Sequence, residues 1–118
     1  MLAFICHITC HSKSQERAQI AATFKQRGNN AYKSSNYPQA ADYYTKAIQI
    51  SPTPESTFYS NRAACYVNMS PPQHEKAIAD CDEALRHERT YVKALNRRAG
   101  AYEALGKNEL ALQGMSCH

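Results

Sequence analysis

The chain has 118 residues, 43% of them hydrophobic, so it has room for one domain with a modest core. Its formal charge is +4 at pH 7, but the basic residues do not form runs interleaved with aromatic ones. No nucleic-acid-binding motif is visible either, so we expect no nucleic-acid partner. Alternating runs rich in Val, Ile and Thr are absent, which disfavours a sheet and predicts an all-α fold.

The first segment, residues 1–14, is expected to be a disordered or poorly ordered tail. Its apolar start, Met1–Cys6, is far shorter than the roughly 20 residues that span a bilayer. It also lacks the basic start and the full apolar core of a signal peptide. We therefore expect no direct membrane insertion by this chain.

Cysteines and histidines in the same tail raise the question of a metal or haem site. Cys6, His7, Cys10 and His11 have the wrong spacing for c-type haem attachment, and no second ligand pair follows them. The chain has five cysteines, an odd number without the spacing of a disulfide framework, which favours reduced thiols. We predict no metal ion and no cofactor.

Hydrophobic periodicity predicts six helices, which we place at about 15–34, 38–50, 55–69, 73–87, 90–104 and 107–113. Prolines and glycines mark the breaks between them, because proline cannot sit inside a helix. The breaks fall at Asn36–Pro38, Pro52–Pro54, Ser70–Pro72 and Leu105–Lys107.

The predicted helices form repeated pairs. In the leading helices, Asn61–Tyr66 returns as Arg97–Tyr102, and Gly28–Tyr32 is a looser copy. The following helices repeat an alanine, a larger tyrosine or cysteine, and a second alanine at a spacing of four and then three, which marks one helical face. The small and the larger side chains are expected to interlock between helices. These residues are Ala40, Tyr44 and Ala47 in the first pair, and Ala77, Cys81 and Ala84 in the second. The period of about 34 residues predicts repeats at 21–54, 55–89 and 90–113, followed by a short tail, 114–118.

Five polar residues recur on the leading helices and predict one binding groove. Lys25 and Asn29 lie four residues apart on the first helix, and Lys93 and Arg97 repeat this spacing on the fifth. Asn61 holds in the third helix the position that Arg97 holds in the fifth. Stacked helices would bring these side chains together, and lysine, asparagine and arginine are the donors that a carboxylate needs.

The structural alternative is a solvated helix surface, where most lysines and arginines lie. The asparagines Asn29 and Asn61 are harder to explain in that way, because asparagine is a poor residue for the middle of a helix. Arg62 and Arg98 are left outside the site, as residues whose stems cover apolar surface. The tyrosines of the leading helices, Tyr32, Tyr66 and Tyr102, are interpreted as packing residues.

Catalysis is not expected. The five histidines are scattered over the tails and the polar helix surfaces, and no serine or cysteine stands in a nucleophile motif. The sequence therefore predicts a binding module and not an enzyme.

The repeats resemble the tetratricopeptide repeat (TPR), whose helix pairs stack into a right-handed solenoid. The five polar residues resemble the dicarboxylate clamp of chaperone-binding TPR domains. This resemblance implies that Lys25, Asn29 and Asn61 hold a terminal carboxylate, while Lys93 and Arg97 face the acidic side chain and backbone just before it. The implied partners are the Glu-Glu-Val-Asp tails of the cytosolic chaperones Hsp70 and Hsp90.

Phe58–Tyr66 and Tyr91–Ala99 are similar to the clamp domain of the Tom70-type mitochondrial import receptors of fungi. This similarity implies docking at the cytosolic face of the mitochondrial outer membrane. Without the anchor and the long repeat array of such receptors, we expect the chain alone to be cytosolic. We also expect its truncated third repeat to promote self-association. A general co-chaperone adaptor of the Hop type and a non-functional truncated fragment are the alternatives.

Overall fold

The structure is a computed structural model that describes the backbone of residues 2–106 and the side chains of residues 13–106. The described residues form five α-helices and no strand. In chain order these are α1 (Leu2–Lys33), α2 (Tyr37–Ile50), α3 (Ser56–Asn68), α4 (His74–His87) and α5 (Val92–Ala104). Each helix packs against its neighbours in sequence, and α3 also contacts α5. This arrangement confirms the predicted all-α architecture of stacked helix pairs.

The main difference from the prediction lies at the start of the chain. We expected a disordered tail over 1–14 and a helix from about residue 15, but α1 begins at Leu2. The physical reason is that no proline or glycine precedes Gly28, so nothing in the backbone interrupts the helix. The predicted sixth helix (107–113) and the tail 114–118 lie outside the described residues.

The predicted breaks at Pro52–Pro54 and Ser70–Pro72 lie between helices of the structure, and the one at Asn36–Pro38 falls where α2 begins. Before α2, the side chain of Asn36 accepts a hydrogen bond from the backbone N–H of Gln39, and Pro38 occupies the first turn. The preceding Ser35 has a φ of 62° and reverses the chain after α1. After α5, Gly106 has a φ of 76°, a conformation that glycine adopts without strain. These local features form the turn from α1 into α2 and end α5.

Small residues on α2 and α4 form the core between the helices. The residues predicted at these positions are all buried: Ala40, Tyr44, Ala47, Ala77, Cys81 and Ala84. The alanines let neighbouring helices approach closely, and the larger Tyr44 and Phe58 fill the spaces that remain. The predicted interlocking of small and large residues is confirmed.

Two arginines connect the leading helices to α4 through ion pairs. Arg62 binds Asp80 with two nitrogens, at 2.8 and 2.7 Å, and a third nitrogen donates to Thr45 at 3.0 Å. Arg98 binds Asp82 at 2.9 Å. Burial raises the pKa of the Asp80 carboxyl, and the hydrogen bonds from Arg62 oppose that rise. These arginines therefore hold helices together, a role beyond the covering of apolar surface that we predicted for them.

No helix in the described part of the chain has both the length and the apolar content needed to cross a membrane.

Candidate functional site

A pocket of about 280 Å³ opens where the leading helices α1, α3 and α5 come together. Tyr44 of α2 contributes to its wall. The lining consists mostly of hydrogen-bonding and basic side chains: Gln26, Asn29, Tyr32, Lys33, Tyr44, Asn61, Ala64 and Arg97. No carboxylate is among these lining residues, so the pocket is suited to an anionic ligand.

Three of the five predicted site residues meet in this pocket. Asn29, Asn61 and Arg97 come from three different helices and line the same space. Lys25 is half-buried and stands one helical turn before Asn29, whereas Lys93 is exposed and stands one turn before Arg97. These two lysines do not line the pocket itself, and they lie next to it on the same helix faces.

Asn29 is held in place by a tyrosine. The Tyr44 hydroxyl donates a 2.5 Å hydrogen bond to Asn29 Oδ1, which leaves the two amide hydrogens of Asn29 available to a ligand. The Tyr44 ring reaches this position by passing over Gly28. A Cβ built on Gly28 would lie only 2.8 Å from Tyr44 Cε1, so a glycine is needed there. Gly28 and Tyr44 thus position the amide of Asn29.

Arg97 is held by the neighbouring leading helix. Its Nη1 donates to the backbone oxygen of Ser60 at 2.9 Å, and also to the Ser60 hydroxyl. Ser60 is fully buried, so this anchor is rigid. The remaining guanidinium nitrogens make no hydrogen bond to a described residue, which leaves part of the planar donor group available to a carboxylate.

The positive charge of Arg97 extends into the core beneath the pocket. Burial raises the pKa of Tyr44, Cys65 and Cys81 each to about 12, and Arg97 acts against that rise in all three. Cys65 and Cys81 are therefore neutral buried thiols that serve as packing residues. An anion bound at Arg97 would be stabilised by this same charge.

The charges around the pocket are not neutralised by the rest of the described chain. The ion pairs found there involve Arg62, Arg86, His87 and Arg98, and none involves Lys25, Lys93 or Arg97. Asn61 likewise makes no side-chain hydrogen bond to a described residue. Such a collection of donors without acceptors is typical of a surface that binds its acceptors from a partner.

Sequence reasoning assigned only three of the lining residues to the site; it missed Gln26, Ala64 and the residues described next. Lys33 lines the pocket, although only Lys25 and Asn29 were selected on α1. Tyr32 was interpreted as a packing residue, and it also lines the pocket. Tyr44 was recognised as a core residue, but not as the partner of Asn29. The spacing of four that joins Lys25 to Asn29 continues to Lys33, and that signal was available in the sequence.

The described residues contain no group of three His, Cys, Asp or Glu side chains placed to hold a metal ion. The cysteines and histidines at positions 6–11 have no described side chains, so the prediction of no metal there remains a prediction.

Stacked antiparallel helices with a polar groove on the leading helices define a helical-repeat interaction module. The tetratricopeptide-repeat family model matches residues 21–54. Along the whole domain, the structure of the second TPR of Spaghetti (RPAP3) bound to the HSP90 peptide SRMEEVD is 32% identical, with a TM-score of 0.77, covering 86% of this chain and 91% of that one. The chain belongs to the tetratricopeptide-repeat family, whose domains are protein-interaction modules.

Among curated relatives, the human mitochondrial import receptor subunit TOM70 is 41% identical over 108 residues. This match covers 87% of the chain but only 17% of TOM70, so the chain spans about a sixth of that relative's length. A structure of the TPR2B-domain:pHsp70 complex of yeast Sti1 is 30% identical, with a TM-score of 0.75, and covers 81% of this chain and 74% of that one. The chain is thus a TPR domain similar to Tom70, and its structural neighbours include TPR domains bound to chaperone peptides.

Proposed function

We propose that this chain binds the acidic C-terminal tails of Hsp70 and Hsp90 through a dicarboxylate clamp formed by Lys25, Asn29, Asn61, Lys93 and Arg97. In this proposal Lys25, Asn29 and Asn61 hold the terminal carboxylate. Lys93 and Arg97 face the acidic side chain and the backbone just before it. The chain acts only by binding and catalyses no reaction.

One observation carries this proposal: Asn29, Asn61 and Arg97, from three helices, line one pocket that lacks a carboxylate. Each brings donors that the described part of the chain leaves unused. The amide N–H groups of Asn29 make no hydrogen bond to a described residue, and neither does the side chain of Asn61. In Arg97 only Nη1 donates to Ser60, so the other guanidinium nitrogens remain available. A peptide terminus supplies two oxygens that need several donors at once, and this arrangement meets that need.

The chaperone partners are supported by the relatives. The RPAP3 and Sti1 structures contain an HSP90 peptide and a pHsp70 partner, respectively, and both resemble this chain over most of their length. The HSP90 peptide SRMEEVD ends in an acidic residue, so it presents two carboxylates at its terminus. This chemistry matches the two pairs of donors on α1 and α5.

As a mechanism, we propose rigid docking of an extended peptide end. Tyr44 and Ser60 hold Asn29 and Arg97 in place before the ligand arrives, which lowers the entropic cost of binding. The groove is open and the ligand is short, so we expect an affinity on the order of micromolar, or about −8 kcal/mol. Because charges dominate the contacts, salt should weaken binding.

The decisive experiment is a calorimetric titration of the purified chain with the peptide SRMEEVD, once with a free C-terminal carboxylate and once with an amidated C-terminus. Amidation removes the terminal negative charge and one oxygen, so we expect binding to fall by at least about tenfold. Equal affinity for the two forms would exclude the clamp.

A matched pair of asparagine variants tests the site itself. Asn61→Ala removes a side chain without hydrogen bonds to described residues, so binding should weaken while the helical circular dichroism stays unchanged. Asn30→Ala is the control, because Asn30 lies next to Asn29 but outside the pocket. If both variants bind equally well, Asn61 does not contact the ligand.

We further propose that the chain represents the chaperone-docking part of a Tom70-like receptor at the cytosolic face of the mitochondrial outer membrane. The similarity to human TOM70 supports this context. A general co-chaperone adaptor of the Hop type is the second candidate, favoured by the likeness to yeast Sti1. Subcellular fractionation of the endogenous polypeptide distinguishes them: a receptor sediments with mitochondrial membranes, whereas an adaptor stays in the cytosol.

A further inference from the structure

Lys33 is a basic residue of the pocket that the five-residue clamp does not use. It lines the pocket together with Asn29 and Arg97, and it is exposed. No acidic side chain in the described part of the chain pairs with it. Its ammonium group is therefore available to a ligand.

The end of α1 does not need Lys33 as a helix cap. A basic residue in the last turn often stabilises the final carbonyl oxygens of a helix. Here those oxygens already accept backbone hydrogen bonds. The oxygens of Asn30, Ala31 and Tyr32 are bonded by the N–H groups of residues 34–36, at 2.9 to 3.1 Å. Capping alone does not explain a lysine that lines the pocket.

A second donor stands beside Lys33. The Tyr32 hydroxyl accepts a 3.1 Å hydrogen bond from Asn68 Nδ2, so its own proton remains free to donate. Its ring also packs edge-on against Tyr37, with a distance of 5.2 Å between ring centroids, which fixes its orientation. Tyr32 lines the same pocket.

The position along the helix indicates which part of a ligand these donors meet. Lys25, Asn29 and Lys33 follow one another at a spacing of four on one face of α1. Lys33 lies one turn, or about 6 Å, beyond Asn29. An extended peptide advances by about 3.3 Å per residue, so this distance corresponds to about two residues.

We infer that Lys33, assisted by the Tyr32 hydroxyl, is a specificity-determining residue that binds an acidic side chain two residues before the ligand's C-terminus. This inference rests on the proposed function, since Asn29 must hold the terminal carboxylate. In SRMEEVD the acidic residue at this place is the second glutamate. The clamp thereby distinguishes tails by an additional charge upstream of the terminus.

The test compares SRMEEVD with two peptides in which either the first or the second glutamate is replaced by glutamine. For the unmodified chain, glutamine at the second position should weaken binding by about three- to fivefold, as expected for an exposed ion pair. In Lys33→Gln this preference should vanish, and in Tyr32→Phe it should shrink. The matched control is Lys13→Gln, an exposed lysine on the same helix that lies outside the pocket, and it should keep the full preference.

Two outcomes would overturn the inference while the clamp stands. One is a Lys33→Gln chain that still prefers the second glutamate. The other is a Lys33→Gln chain in which the effect of glutamine on binding shrinks equally at the first and at the second glutamate position. That result would indicate a general effect of net charge. Equal binding of free and amidated peptides would instead reject the proposed function, and the role of Lys33 with it.

Discussion

Helices α3 and α5 each carry two adjacent polar residues that face different parts of the molecule. Asn61 and Arg97 face the pocket, where no carboxylate meets them. The next residue in each helix, Arg62 or Arg98, turns to α4 and binds an aspartate. Successive residues of a helix are rotated by about 100° about its axis. This rotation directs Asn61 and Arg97 to the pocket, whereas the residue after each of them forms an ion pair within the fold.

The difference shows how one residue type serves stability and recognition. The Arg62–Asp80 pair is largely buried and bidentate, so its charges are satisfied before any ligand arrives. Arg97 is anchored by neutral oxygens of Ser60 and forms no ion pair with a described residue. Like charges gathered at the pocket repel one another, and an anionic ligand relieves that repulsion. The Arg62–Asp80 ion pair stabilises the fold, whereas Arg97, which forms no ion pair with a described residue, is available to bind an anionic ligand.

The largest expected effect comes from breaking the Arg62–Asp80 ion pair. Asp80→Asn leaves the guanidinium of Arg62 mostly buried without its counter-charge, and we expect a loss of about 3 kcal/mol in the free energy of unfolding. Asp82→Asn is the matched control, because Asp82 is 53% exposed and its pair with Arg98 should contribute less than about 1 kcal/mol. Urea denaturation followed by circular dichroism measures both.

The comparison fails if Asp80→Asn and Asp82→Asn destabilise the chain equally. Such a result would mean that water screens the Arg62–Asp80 pair as effectively as the exposed one.

The second prediction compares the replacement of each of the two arginines of α5 by alanine. Arg97→Ala removes charge-assisted hydrogen bonds to the ligand, and we expect binding of SRMEEVD to weaken by about 10- to 100-fold. Arg98→Ala removes the neighbouring charge from the α4 side, so affinity should change by less than about twofold. Calorimetric titration gives both values, and circular dichroism checks that each variant keeps its helices. Similar losses for both variants would show that only net charge matters.

Most of the fold could be predicted from the sequence because its signals are local. Pro38 stands in the first turn of α2, Pro52 and Pro71 lie between helices, and the alanines of α2 and α4 repeat at helical spacing. The start of α1 was not predicted: we expected a helix from about residue 15, whereas α1 begins at Leu2, in a stretch without a residue that breaks a helix. Local rules state where a helix must stop better than where it begins.

The candidate site was only partly predictable, because it depends on contacts between distant residues. The repeat positions of Asn61 and Arg97 pointed to a shared groove, since repetition implies equivalent placement. The hydrogen bond from Tyr44 to Asn29 spans 15 residues, and the bond from Arg97 to Ser60 spans 37. No spacing rule within one helix reveals such contacts, so the residues that position the site became visible only in the structure.

The third prediction tests the packing beneath the pocket with two glycines. Both lie inside helices, where alanine is favoured over glycine by about 1 kcal/mol. A Cβ at Gly100 would meet no atom within 4 Å, so Gly100→Ala should stabilise the chain by up to that amount. A Cβ at Gly28 would lie 2.8 Å from the Tyr44 ring, and the ring must move. Overpacking costs of about 1–3 kcal/mol then outweigh the gain, so Gly28→Ala should destabilise.

The displaced ring gives Gly28→Ala a second consequence that Gly100→Ala lacks. When Tyr44 moves, its hydroxyl loses the 2.5 Å bond to Asn29, and the amide is no longer held toward the ligand. We therefore expect weaker peptide binding in Gly28→Ala, and unchanged binding in Gly100→Ala, at temperatures where both variants are fully folded. Normal affinity in a destabilised Gly28→Ala chain would show that Tyr44 supports the core without orienting Asn29, and the pocket would then not depend on the packing beneath it.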